Sequence, residues 1–306
     1  MLVAAPFLFE RRSEWAEGFE LVEPRFLSSS SSSATASGLI EVIATGGDEL
    51  DRSLVDRLPN LKLVACFSTG YAGIDLDQLR ARGVALTTAA GINAHDVADH
   101  AIALMLCWWH GIRTADQVVR EGRWRDSTAP RGSLQGKRIG IAGLGRVGLH
   151  IAERAEAFGL RVSWWGPREK PGSRYPRAQS LLGLARDSDI LVIASRATPA
   201  NAGQIDAEVL AALGPQGLLV NVSRGFLVDE RALLEALRWR RIAGAALDVF
   251  DREPPDASIW RDLPNVVLSP HIAGYTREAG AAMFGQLREN IRRHFAGEPL
   301  LTPVTL

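Results

Sequence analysis

An arginine, a glutamate and a histidine stand in three short segments late in the chain. They are Asn221-Val222-Ser223-Arg224-Gly225, Asp248-Val249-Phe250-Asp251-Arg252-Glu253-Pro254-Pro255 and Ser269-Pro270-His271-Ile272-Ala273-Gly274. Each segment follows a short apolar run that reads as a strand. In an open α/β sheet, the loops after strand C-termini line the ligand crevice, so all three residues point to one reaction site. Histidine suits such a site because it gives a proton in its charged form and takes one in its neutral form. Taken singly, a histidine after a strand also reads as a structural donor, and an arginine there as a surface residue. Upstream lies Gly143-Leu144-Gly145-Arg146-Val147-Gly148, a G-x-G-x-x-G pattern. Its glycines answer a backbone demand: a tight turn, close approach to a pyrophosphate, and close packing of helix on strand. A strand precedes the pattern, a helix opens from it and another strand follows. That context predicts a dinucleotide site, with Arg224, Glu253 and His271 toward the nicotinamide end.

The second strand of such a unit commonly ends in an acid that accepts the adenosine ribose hydroxyls. Here Val162-Ser163-Trp164-Trp165 is followed by Gly166, Pro167 and Arg168. Without the acid, nothing at the strand end repels a 2′-phosphate, and the Arg168 fork suits phosphate oxygens. The reading favours NADP(H), with NAD(H) possible because Glu169 follows directly. Arg196, in Ala194-Ser195-Arg196-Ala197-Thr198-Pro199, either assists the phosphate end or faces water.

The elements that must position these residues alternate along the chain. Strands are expected at 2–9, 39–44, 61–67 and 83–87, with a short helix at 54–58. A helix follows at 94–112, with Asp96 and Asp99 near its positive end. After a polar passage, 121–135, come a strand at 139–142, the glycine turn, a helix at 149–158 and a strand at 162–165. Further strands are expected at 190–194, 218–222, 245–249 and 266–269, with helices at 229–238 and 277–295. The alternation implies a parallel, doubly wound sheet. The six consecutive serines 28–33 read as a solvated loop, the alternative being a modified linker.

Composition closes off other classes. The 306 residues exceed one compact core, so two domains are expected. Lys+Arg and Asp+Glu are 35 each, which leaves no global field for nucleic acid or an anionic membrane. Two cysteines, Cys66 and Cys107, are too few for a disulfide framework and lack metal-ligand spacing. The apolar run 101–109 is far shorter than the ~20 residues a bilayer requires. The apolar start meets Glu10, Arg11 and Arg12 at once and reads as a strand rather than a signal peptide, so cytoplasm is the expected compartment. His95, His100, His110, His150 and His294 have no ligand spacing and read as structural or exposed; no metal site is expected. Trp108, Trp109, Trp164 and Trp165 read as packing.

In its motifs the chain resembles the D-isomer-specific 2-hydroxyacid dehydrogenase family, most of all its NADP-dependent glyoxylate/hydroxypyruvate reductases. The resemblance runs from Ser68-Thr69-Gly70-Tyr71-Ala72-Gly73-Ile74-Asp75, through Asp96-Val97-Ala98-Asp99 and the glycine motif, to the Arg, Glu and His segments in the family's order. It implies that Arg224 binds the substrate carboxylate with two parallel hydrogen bonds. His271 would protonate the carbonyl oxygen as hydride arrives, and Glu253 would orient the ring and favour its charged form. Asp248 would meet the nicotinamide carboxamide, and backbone amides near Thr69 and Gly70 would complete carboxylate binding. Cofactor contacts are implied for Val97, Gly143, Gly145, Arg146, Val147, Gly148, Gly166, Arg168, Ser195, Thr198, Pro199, Val222, Asp248 and Gly274, and substrate contacts for Thr69, Gly70, Arg224 and His271. A homodimer is also implied, with the helix at 94–112 near the two-fold axis.

The expected fold is therefore α/β in two domains. A Rossmann-type doubly wound domain takes 97–278; a flavodoxin-like substrate domain takes 1–96 and the C-terminal 279–306, with the reaction in the cleft between them. The expected activity is NADPH-dependent reduction of a small 2-keto acid, glyoxylate or hydroxypyruvate. One alternative is an NAD-dependent dehydrogenase of a larger 2-hydroxy acid, such as a sugar acid or phosphoglycerate. Another, of a different class, is a dinucleotide-sensing protein similar to the corepressors of this fold. Arg224, Glu253 and His271 together argue against a sensor, which has no need of all three.

Overall fold

The structure is a computed structural model and describes residues 1–23, 37–47, 50–125 and 129–306, so the serine run lies outside the described residues. The chain divides into two compact units, Met1–Asn93 with Thr276–Leu306, and Ala94–Tyr275. The divisions fall at 93/94 and 275/276 rather than at 96/97 and 278/279. The reason is local: Ala94 already opens a long helix, and the Thr276 side chain caps the last one by accepting from the Ala279 amide.

The first unit is a parallel sheet of β1 (Leu2–Val3), β2 (Val42–Thr45), β3 (Leu63–Cys66) and β4 (Ala85–Thr87), in that order. An isolated parallel bridge joins Leu2 to Val22 on the open side of β1. Counted as a strand, it gives the 2-1-3-4-5 order of flavodoxin-like folds. Ile43, Val64 and Leu86 pack on one face with Leu54, Leu58 and Leu79. Val42, Leu63 and Ala65 pack on the other with Phe284, Leu287 and Ile291 of the C-terminal helix, Arg277–Ala296. The strand expected over 2–9 ends at Val3, because Pro6 sits in the first turn of a helix, Pro6–Glu10.

The second unit opens with a helix, Ala94–His110, which the sequence reading extended to 112. Gly111, at φ 62°, breaks it there, and a new helix runs Ile112–Arg120. Then come six parallel strands: β5 (Arg138–Ala142), β6 (Arg161–Trp165), β7 (Ile190–Ile193), β8 (Leu218–Asn221), β9 (Gly244–Leu247) and β10 (Val266–Leu268). Their spatial order is β10-β9-β8-β7-β5-β6. Outside β6, an isolated parallel bridge pairs Trp164 with Arg177. That bridge stands where the third strand of a 3-2-1-4-5-6 sheet would lie. Ile139, Ile141, Val192 and Val220 pack beneath Ala101, Met105 and Ile151. On the opposite face Leu191, Ile193 and Leu219 pack against Leu184, Leu210 and Leu233, so helices cover both faces. Strands buried on both faces explain the near-continuous apolar runs in the sequence. No helix among the described residues is long and apolar enough to cross a membrane.

Candidate active site

Strand order reverses between β5 and β7, so in the second unit a ligand crevice belongs at the C-terminal ends of these two strands. Gly143, directly after β5, has φ 100° and donates its amide to the Trp165 carbonyl at 2.7 Å. A Cβ here would collide with the Ser195 backbone after β7, and one at Gly148 would collide with the Gly143 carbonyl. The packing of the protein itself therefore requires these two glycines. Gly145 differs: a Cβ there would meet nothing within 4 Å. It caps the helix Arg146–Ala157, which starts three residues earlier than read from sequence, and leaves open space over that helix N-terminus. Open backbone at a helix start is the cradle a pyrophosphate needs, so the residues present fit a dinucleotide.

Neighbouring loops are tied to this turn. The Ser195 hydroxyl accepts from Gln204 at 2.8 Å, and the Ser195 carbonyl accepts from the Ser223 hydroxyl at 2.6 Å. The Thr198 amide and hydroxyl both donate to Asn201, at 2.7 and 3.1 Å, and Pro199 begins the tight turn between them. Val97 and Val222 lie in the apolar core of this unit with Val147 packed against it, while Gly274 is half-buried and Arg146 exposed.

The three candidate reaction residues, Arg224, Glu253 and His271, follow β8, β9 and β10. Asn221 shapes the first loop, donating to the Arg224 carbonyl and accepting from the Ser223 amide, both at 3.0 Å. Gly225 permits close approach, since a Cβ there would collide with the Phe250–Asp251 backbone. The Arg224 loop is thus seated directly on the loop that carries Glu253. One Glu253 oxygen accepts from the Phe250 amide at 3.0 Å, and the other meets His271 Nδ1 at 2.6 Å. Ring and carboxylate are each partly open to solvent, with 42% and 36% of their side chains exposed.

His271 sits at φ 54°, a region costly for a residue with a Cβ and held only where the surroundings dictate it. Asp248 dictates it. Its carbonyl accepts the His271 amide at 2.8 Å, and its carboxylate accepts the Ile272 and Ala273 amides at 3.0 and 2.9 Å. The same carboxylate accepts the Ser269 hydroxyl at 2.5 Å and faces His100 Nε2 at 3.4 Å. Burial alone would push this carboxyl up. The His100 and Ser269 contacts and the two amides outweigh that and hold it below the ordinary carboxylate value. Sequence reading gave Asp248 to the nicotinamide carboxamide. In the structure both its oxygens accept from the His271 loop, and the residue is 1% exposed.

At the other end of the crevice, Gly166 is buried at the end of β6, and no acid stands there. Arg168 is exposed and makes no hydrogen bond or ion pair with the described residues. Glu169, next in the chain, faces Arg177 at 3.6 Å. In the first unit, the loop of Thr69 and Gly70 follows β3. Ser68 holds it, donating its hydroxyl to the Gly70 carbonyl at 2.5 Å while its own carbonyl accepts the Ala89 amide at 2.9 Å. Gly47, at φ 96°, lets the neighbouring strand end approach the Gly70 carbonyl.

Sequence reading missed the supporting residues His100, Ser269, Asn221 and Arg177. His100 meets the Ser269 hydroxyl at 2.8 Å across 169 positions of chain, a pairing no local pattern marks. Asn221 carried a signal, since a polar residue ending an apolar strand before Ser-Arg-Gly is out of place unless it builds a turn. Among the described residues no group of three His, Cys, Asp or Glu is placed to hold a metal ion.

A doubly wound parallel sheet, a glycine cradle at its switch point and a carboxylate–imidazole pair at the same sheet end define a dinucleotide-dependent oxidoreductase. Comparison with known proteins narrows the class. The family model for the NAD binding domain of D-isomer specific 2-hydroxyacid dehydrogenases matches residues 102–273. The hydroxyphenylpyruvate reductase of Plectranthus scutellarioides is 42% identical, over 88% of this chain and 86% of its own length. The 2-ketogluconate reductase of Gluconobacter oxydans is 41% identical, over 85% and 84%. Among solved structures, the NADPH-dependent glyoxylate/hydroxypyruvate reductase of Sinorhizobium meliloti, in complex with NADP and malonate, superposes with a TM-score of 0.89. It is 36% identical and covers 99% of this chain and 96% of its own. The chain belongs to the D-isomer-specific 2-hydroxyacid dehydrogenase family and is an NAD(P)-dependent enzyme of it; relatives at 39–42% identity are 2-keto acid reductases, and D-3-phosphoglycerate dehydrogenases match at 37%.

Proposed function

We propose that this protein reduces a small 2-keto acid, glyoxylate or hydroxypyruvate, to the D-2-hydroxy acid with NADPH. The observation that carries the reading is the 2.6 Å contact of His271 Nδ1 with Glu253, on loops that pack beside Arg224. With Nδ1 held by the carboxylate, Nε2 is the atom left to give a proton to the substrate carbonyl oxygen and to recover it in reverse. Glu253 fixes the ring plane. Arg224 grips the substrate carboxylate, and the resemblance assigns the Thr69 and Gly70 amides to the same group. The cofactor supplies the hydride. Asp248 acts as the anchor that holds His271 in its left-handed conformation. The Gly166 strand end and the exposed Arg168 support NADPH over NADH. The substrate choice rests on the relatives' own activities, among which 2-ketogluconate and hydroxyphenylpyruvate are the larger alternatives. A homodimer in the cytoplasm completes the proposal, with sedimentation equilibrium as the check on its assembly.

The test is oxidation of NADPH and of NADH, followed by absorbance, against glyoxylate, hydroxypyruvate, 2-ketogluconate and hydroxyphenylpyruvate. The expected result is NADPH-dependent turnover with the highest kcat/KM on one of the two smaller acids. A higher kcat/KM on a six-carbon or aromatic acid overturns the substrate assignment. Cofactor binding without turnover on any of the four favours the sensor.

A further inference from the structure

Arg177 stands opposite Trp164 on the outer edge of β6. Backbone bonds fix it there: the Trp164 amide donates to the Pro176 carbonyl at 3.0 Å, and the Ala178 amide donates to the Trp164 carbonyl at 2.7 Å. A third tie comes from the Trp164 indole, which donates to the Tyr175 carbonyl at 3.0 Å. From that seat the Arg177 side chain runs past the Trp164 ring, 5.7 Å from its centre, toward the end of the strand. One guanidinium nitrogen donates to the Gly166 carbonyl at 2.8 Å, and another faces the Glu169 carboxylate at 3.6 Å. These two oxygen groups carry negative potential at the strand end where the missing ribose-binding acid would stand. A planar fork on a pinned backbone answers both at once, which an ammonium does less well.

We infer that Arg177 is a positioning residue that sets coenzyme preference: it caps the Gly166 carbonyl and neutralises Glu169, so that Arg168 meets a 2′-phosphate with no opposing charge. The inference rests on the NADPH reading above and adds the device that sustains it. Glu169 is 83% exposed, so the pair contributes little to folding. Its effect is on the local field, within the ~10 Å over which exposed charges act at moderate salt. The Glu169 carboxylate, which on sequence alone argues for NADH, is thereby turned into part of an NADPH site.

Calorimetric titration of the full-length protein with NADP⁺ and NAD⁺ separates the outcomes. Arg177→Gln is expected to weaken NADP⁺ about tenfold, the scale of one lost charge-assisted contact, and NAD⁺ less than about twofold. Glu169→Gln alone is expected to bind NADP⁺ at least as well as the parent. In the Arg177→Gln background it is expected to recover most of the loss, which a merely structural role for Arg177 would not allow. Arg177→Lys keeps the charge but not the fork and is expected to lie between; it also serves if Arg177→Gln fails to fold. Equal weakening of both coenzymes, unchanged NADP⁺ binding, or no recovery in the double variant overturns the inference. A parent protein that prefers NAD⁺ overturns the NADPH reading itself, and the inference with it.

Discussion

Around His271, the loops after β8, β9 and β10 are held by buried groups, whereas the loop after β6 carries its charges in solvent. Asp248 alone accepts two amides and a hydroxyl, and Asn221 bridges its own turn in both directions. At the β6 end, Arg168, Glu169 and Lys170 are exposed, and one guanidinium does the ordering. The difference matches what each end would do under the proposed function. Proton transfer needs an atom placed at hydrogen-bond distance, so the fold surrounds it with buried partners. Choosing between coenzymes needs mainly the right sign of charge near one phosphate, and exposed residues supply that.

If this contrast holds, variants at the reaction end change rate or stability, and variants at the β6 end change only coenzyme preference. The largest effect is expected for His271→Gln: kcat for keto acid reduction about a thousandfold lower, with NADP⁺ binding retained in titration. Equal loss of binding and rate would place the histidine's main role in the cofactor site. Next comes Asp248→Asn, expected to destabilise the fold by roughly 3 kcal/mol in urea unfolding, because it disturbs a buried acceptor of several donors. The sign with pH follows from the lowered carboxyl. A depressed carboxyl contributes stability above its unfolded value near ~3.9 and loses it as pH falls through the folded value, so the gap between parent and variant should close in acid. The smallest effect belongs to Arg168→Ala, expected to raise KM for NADPH about tenfold and leave NADH kinetics unchanged. A matching change in kcat there would erase the distinction between the two ends.

The same contrast marks what was legible in the sequence. The glycine turn was readable because Gly143 and Gly148 answer contacts the backbone itself imposes. The order of strands followed from apolar runs buried on both faces. Element ends were less so: Pro6 stops β1 early and Gly111 splits a helix, although both are residues whose backbone preferences are known. Arg224, Glu253 and His271 stand out because each follows a strand and because their segments match the family's in order. Their supports do not. His100 reaches Ser269 only after the sheet is assembled, and Arg177 acquires its seat from a single bridge pair that no periodicity announces. Nor does any local pattern show that the Asp248 carboxylate accepts the Ile272 and Ala273 amides.

A double-variant cycle on kcat for glyoxylate reduction, with Glu253→Gln, His271→Gln and both together, tests the central claim most directly. If Glu253 acts through the ring it holds at 2.6 Å, the double variant should be no slower than His271→Gln alone, with NADP⁺ affinity little changed in all three. Losses that simply add in the double variant would contradict the pairing of Glu253 with His271 in the reaction.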